Sequence, residues 1–341
     1  VELFFVLSGF YMQLVLSAKY SRARLGKAWL TCFYRARYFR LLPIYLMAGA
    51  IVAAAALVQP LWAPAPLWRF LAELPRTPGN LFFELFLGFT NASMFFQEGV
   101  LYMAVHDGRL HWSAHYLSSA VPVWQALLVP QAWSLGLELS FYAVAPFLLN
   151  LRSRWLIFAC CLSLGLKIFF IKALHFGDPW TYRFFPFELC YFLMGALACR
   201  YRARLDLAAL FRMDARIGKT CAYLLVTAIA VVSAPGHYAF WIYPMALACV
   251  LPFLFRMTSE VRADRLLGEL SYPVYIFHIF ALTVANSIDR HWWHGAETPV
   301  AWLGLVLTLS LSAAALALEL RYIEPWRARL SQPRVAGLPR A

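Results

Sequence analysis

Apolar residues in this chain come in unbroken runs and do not alternate with polar ones. Nine runs, at about 2–17, 41–58, 131–149, 155–174, 184–200, 220–234, 238–255, 267–288 and 300–320, are each roughly 15–22 residues long, a helical span of a bilayer. Barrel walls would need shorter segments that alternate residue by residue, so the runs predict helices. A tenth segment, 80–96 (NLFFELFLGFTNASMFF), is interrupted by Gly88, Thr90, Asn91 and Ser93. The longest stretch between runs, 59–130, carries Pro60, Pro64, Pro66, Pro75 and Pro78 and the polar sequence HDGRLHWSAH. Loops of that length often serve function. No internal repeat, low-complexity tract or soluble second domain breaks the pattern. Residues 1–330 read as one membrane domain and 331–341 as a cytoplasmic tail.

Composition turns these runs into spans. Of the 341 residues, 62% are hydrophobic and 14% charged, with a mean hydropathy of +0.63. Soluble chains are nearer half apolar, so lipid has to solvate much of this one. Lipid offers the backbone no hydrogen bonds, and each helix satisfies its own. The predicted fold class is therefore all-α, a polytopic membrane helical bundle with about nine spans visible.

The net charge of +13 does not point to nucleic acid, because cytoplasmic loops of membrane proteins collect Lys and Arg. With 80–96 as a re-entrant or interfacial segment, 23 of the 30 basic residues fall in 18–40, 150–155, 200–219, 256–266 and 321–341, all on one side. A full crossing by 80–96 would move sixteen of them to the other side. The charge pattern thus predicts a visible N-terminus outside and a cytoplasmic C-terminus. A cytoplasmic start would need one more helix before Val1. The first run, with no A-x-A site after it, does not read as a signal peptide. The seven cysteines lie in or beside apolar segments without a C-x-x-C pair and read as small buried hydrophobes.

Polar groups within spans are costly in lipid and are the informative positions. Glu138 in QAWSLGLELSFY lies about 10 Å below the outer end of its helix, and His278 in LGELSYPVYIFHI about 16 Å from the inner end of its own. Ser271, Tyr275 and His278 share one helix face at spacings of four and three, and Trp133, Ser134, Glu138 and Tyr142 form a second stripe. Such stripes can line a reaction cavity or tie helices together by hydrogen bonds, and both readings stay open. Arg37 and Arg40, with Arg35 adjacent, stand at the inner mouth of a span, where guanidinium forks suit phosphate. His106, His111, His115, His291 and His294 read as loop histidines and not as a metal site. Nothing resembles a Walker loop, a dinucleotide fingerprint or H-E-x-x-H.

Five segments together resemble one family. VELFFVLSGF (1–10), RARYFRLLPIY (35–45), AWSLGLELSFYAVAPFLL (132–149), LGELSYPVYIFHI (267–279) and YIEPWR (322–327) are similar, in order, to the motifs of the acyltransferase 3 family of membrane acyltransferases. The resemblance implies a ten-helix core and transfer of an acyl group, commonly acetyl from acetyl-CoA, to a hydroxyl of a carbohydrate or lipid-linked exported acceptor. Acyl-CoA would be a co-substrate, with no cofactor bound permanently. By the same resemblance Arg37 and Arg40, with Arg35, would hold the CoA phosphates. Ser8, Trp133, Ser134, Tyr142, Ser271, Tyr272 and Tyr275 would line the cavity around Glu138 and His278. The family's first helix carries a basic residue and the principal catalytic His; it would precede Val1. Glu138 would orient that His, and His278 is the candidate substitute base. Two other readings fit a multi-span chain with buried Glu and His: a transporter or flippase, and a catalytically incomplete fragment.

Overall fold

The computed structural model describes residues 1–58, 80–107, 109–119, 122–205, 212, 214–231, 239–292 and 297–330. In chain order its main elements are α1 (Glu2–Ala18), α2 (Trp29–Val58), α3 (Leu81–Ser93), β1 (Met103–His106), β2 (Arg109–Trp112), α4 (Trp133–Leu148), α5 (Ser153–Lys172), α6 (Phe185–Arg200), α7 (Ala215–Val231), α8 (Ala239–Thr258), α9 (Arg262–Trp292), α10 (Glu297–Leu318), a π turn (Glu319–Ile323) and α11 (Glu324–Leu330). Each of the nine apolar runs is helical over most of its described residues. Among the described residues four stretches, Arg22–Ala56, Ser153–Lys172, Arg262–Asp289 and Val300–Arg329, are long and apolar enough to cross a membrane, while Glu2–Ala18 and Ile242–Thr258 are apolar but shorter. The proline-rich 59–79, the tail 331–341 and His294 lie outside the described residues.

Two boundaries differ from the hydropathy pattern. Helix α2 begins at Trp29, so the basic segment RARYFR is helical, and α9 begins at Arg262. Arginine is a good helix former even though it ends an apolar run. The 13 residues of α3 extend roughly 20 Å, too short to cross the hydrocarbon core. The helix stops where Met94 turns left-handed, at φ 69°. Beyond it stands an antiparallel hairpin, β1 on β2, with His106 paired to Arg109. The Asp107-Gly108 dipeptide between the strands is a hairpin signal, and Asp107 has a φ of 49°.

The chain divides into two compact units. The first comprises Val1–Phe33 and Ser140–Leu266. Here α1 and α6 lie parallel, since Phe5 stacks on Phe192 at 4.6 Å and Gln13 accepts a 2.9 Å hydrogen bond from Arg200. Between these levels Gly9 and Gly195 let the backbones touch. A Cβ on Gly9 would overlap the Phe192 carbonyl, and one on Gly195 the Val6 carbonyl. Small residues at a crossing are how helices approach closely in lipid. Helix α5 is inverted relative to a soluble helix. Leu156, Cys160, Ser163 and Lys167 are buried, and Trp155, Phe158, Leu162 and Phe169 are exposed.

Lys167, 1% exposed, meets Glu188 of α6, 0% exposed, at 2.6 Å and lies 3.3 Å from the Tyr191 hydroxyl. Ser163 donates to the Pro186 carbonyl and accepts from the Cys190 amide. Arg200 also donates to the carbonyls of Leu149 and Leu151, binding the turn after α4.

The second unit comprises Tyr34–Leu139 and Leu267–Ala341. The polar residues that interrupt 80–96 form a knot. Asn91 donates to Leu87 and Ala126 and accepts from the Leu128 amide. Gln97, fully buried, donates to the Tyr45 hydroxyl and the Thr90 carbonyl, and Tyr45 donates to the Asn91 carbonyl.

Two outcomes test this packing. Gly195→Ala should cost about 1–3 kcal/mol, the usual penalty for overpacking, read as a lower melting temperature of the detergent-purified protein. Lys167→Met strands a buried carboxylate and should cost about 3–5 kcal/mol in chemical unfolding, most of it recovered by Lys167→Met with Glu188→Leu.

Candidate functional site

The second unit carries a chain of polar contacts along α9. Tyr272 donates to the Leu41 carbonyl of α2 at 2.6 Å. One turn later Tyr275 donates to the Gln131 carbonyl at 2.6 Å and lies 2.7 Å from the Ser134 hydroxyl. A phenol has one proton. With that proton given to the carbonyl, Ser134 is the donor to Tyr275. The Gln131 amide donates to the Ile276 carbonyl, so α9 is bound to the start of α4 at two successive residues.

His278 follows, half-buried, with Nδ1 2.7 Å from the Tyr275 carbonyl. A carbonyl only accepts, so Nδ1 carries a proton, and in the neutral imidazole Nε2 is the acceptor nitrogen. Glu138 is 4% exposed, one turn beyond Ser134 on α4. Between them Gly136 makes room for a second carboxylate, because a Cβ there would overlap the Glu98 Oε2.

The other end of the unit is basic. Arg37 is half-buried, and its Nε is buried without a hydrogen-bond partner among the described residues. Arg40 and Arg35 are exposed. Beside them Phe39 packs edge-on to Trp326 at 5.2 Å, joining α2 to α11. Arg327 donates to Glu319 at 2.8 Å and to Glu324.

The structure thus gathers Trp133, Ser134, Glu138, Tyr272, Tyr275 and His278 in one unit, the first three buried. Ser8 and Tyr142 are buried in the first unit, where Tyr142 meets Phe33 edge-on at 6.4 Å. Ser271 is exposed and donates to the Gly268 carbonyl of its own helix. Its spacing to His278 is right, but Leu267, Gly268 and Glu269 are exposed as well, so helical packing begins only at Tyr272. Sequence reasoning missed Gln131, Glu98, Glu319 and Arg327. Glu319 carried a signal, a carboxylate directly after an apolar run; the others needed their partners to stand out.

The model of the acyltransferase 3 family, described as "Acyltransferase domain", matches residues 1–318. A protein of Komagataeibacter xylinus named "Putative membrane-bound transacylase BcsY" is 30% identical over 210 residues, 55% of this chain and 50% of that protein. An uncharacterized protein of Aquifex aeolicus (strain VF5) is 24% identical over 220 residues, 60% of this chain and 90% of that protein. The chain spans about half the length of the transacylase relative it matches. No solved structure matches. With a match running from residue 1 through α10, the chain belongs to the acyltransferase 3 family.

Proposed function

We propose that this protein is an O-acyltransferase of the cell inner membrane that moves an acyl group, typically acetyl, from acyl-CoA to a hydroxyl of a carbohydrate or other exported acceptor. One observation carries the reading. Tyr272 is hydrogen-bonded to Leu41, the residue after Arg40, and His278 lies six residues, roughly 9 Å, further along the same helix. Acyl-CoA gripped by its phosphates at Arg37 and Arg40 would lay its extended arm along α9, thioester toward the histidine. All nine helices cross in this reading, with the basic segment 18–40 cytoplasmic, as the charge bias supports.

The thioester is already activated. The acceptor oxygen attacks the thioester carbonyl carbon and forms the new C–O bond while a base takes its proton. The oxyanion then collapses, the C–S bond breaks and the CoA thiolate leaves to be protonated. In the family's pattern the base is a His on its first helix, and Glu138 would orient it and stabilise its charged form. His278, with Nδ1 committed, presents Nε2 as a second acceptor. Gln131, Ser134 and Tyr275 hold α9 against α4 and so position His278. Trp133, buried beside Ser134, completes the proposed lining within this unit.

The test is transfer of radiolabelled acetyl from acetyl-CoA in membranes bearing the full chain. Arg40→Ala and Glu138→Ala should each lower transfer by about 100-fold or more with membrane insertion unchanged. Full activity in both would sink the assignment. Tyr275→Phe should act more mildly, lowering kcat by about tenfold and stability by about 1–2 kcal/mol, since it removes a positioning bond and not a reacting group. A loss as large as that of Glu138→Ala would instead put the phenol at the reacting atoms.

A further inference from the structure

The basic end of the second unit contains a carboxylate that the acyl-transfer chemistry does not require. Glu319 is 7% exposed and accepts a 2.8 Å hydrogen bond from the Arg327 guanidinium, whose other fork goes to Glu324. Glu319 and Arg327 are eight residues apart, which on an uninterrupted α-helix would leave them roughly 80° apart around the axis. The π turn Glu319–Ile323 lies between them, and it rotates the following residues so that the two side chains meet.

The pair does not stand alone. Arg40 attracts the Glu319 charge, and Arg40 and Arg37 both repel that of Arg327. Three guanidinium groups therefore share one field, with Glu319 among them. Trp326 against Phe39 fixes α11 beside α2 at this point. Arg37 still has a buried Nε with no partner among the described residues.

We infer that Arg327 is a third phosphate-binding residue of the Arg37 and Arg40 cluster, and that Glu319 is a built-in anion which occupies Arg327 until a phosphate of acyl-CoA displaces it. The inference rests on the proposed CoA reading of the arginines and deepens it. A guanidinium fork accepts carboxylate and phosphate in the same geometry, so one group can stand in for the other. Holding Arg327 on Glu319 keeps a half-buried cation paired in the absence of ligand, at the cost of competition when ligand arrives. The device weakens CoA binding by design and eases release of the spent thiol.

The test is titration of coenzyme A into the purified full chain in nanodiscs of zwitterionic lipid, with folding checked by thermal unfolding. Glu319→Gln keeps the shape and removes the competing charge, and it should tighten CoA binding at least fivefold. Arg327→Gln should weaken it at least fivefold. Glu269→Gln removes an equal charge whose field also reaches Glu319 but which does not hold Arg327, and should change affinity less than twofold. A merely structural ion pair would move Glu319→Gln and Arg327→Gln in the same direction, and that result overturns the inference. So does a Glu269→Gln effect as large as that of Glu319→Gln, which would reduce the matter to net charge. Should Arg327→Gln fail to fold, tightening by Glu319→Gln alone still decides.

Arg37→Ala and Arg40→Ala separate the two levels of the argument. If both leave CoA affinity unchanged, the CoA reading itself fails. If both weaken it while Glu319→Gln does not tighten it, only this inference fails. Opposite shifts seen only in retention of phosphatidylglycerol would give the arginines to a lipid headgroup and overturn it too.

Discussion

A polar side chain within a bilayer has no water to return to, and this constraint orders most of the molecule. It explains why α5 turns Ser163 and Lys167 inward and its aromatic residues outward. It explains why Lys167 meets Glu188 in a site from which both are almost wholly excluded from solvent. It also explains why a segment as polar as FTNAS turns its polar groups to one another and to Tyr45 and Gln97. Each of these arrangements joins segments far apart in sequence. In a soluble protein the apolar core would do that joining; between helices in lipid, polar pairs and close backbone contact take a larger share.

The same constraint shapes the site. Tyr272 and Tyr275, one turn apart, reach to different helices and satisfy themselves on main-chain carbonyls. Their bonds position α9 and thereby His278, whose own Nδ1 is spent on the Tyr275 carbonyl. The imidazole is left with a defined tautomer. A structural requirement, that no N–H be wasted, thus leaves a chemically useful lone pair on Nε2.

Much of the fold was legible because lipid demands long apolar runs, and the described residues of all nine are mainly helical. The basic start of α2 escaped because Arg35, Arg37 and Arg40 end a hydropathy peak without ending a helix. The hairpin of β1 and β2 had its signal in Asp107-Gly108 but lay within a stretch that otherwise read as loop. For the site, periodicity gave the face of α9 that carries Tyr275 and His278. It did not give the partners. Gln131 is 144 residues from Tyr275, and nothing local marks it. Ser271 shows the converse, since correct spacing cannot tell whether a neighbouring helix extends far enough to cover it.

The close approach of α1 and α6 also counts something. Phe5 lies beside Phe192, Gly195 beside Val6 and Phe10, and Gln13 beside Arg200, so the two helices run in the same direction. A chain that crosses a bilayer reverses at every passage, and two neighbours with the same heading must be separated by an odd number of passages. The shared heading of α1 and α6, fixed where two glycines bring their backbones together, is thus a constraint on how often the chain can cross between them, and not only on how tightly they pack.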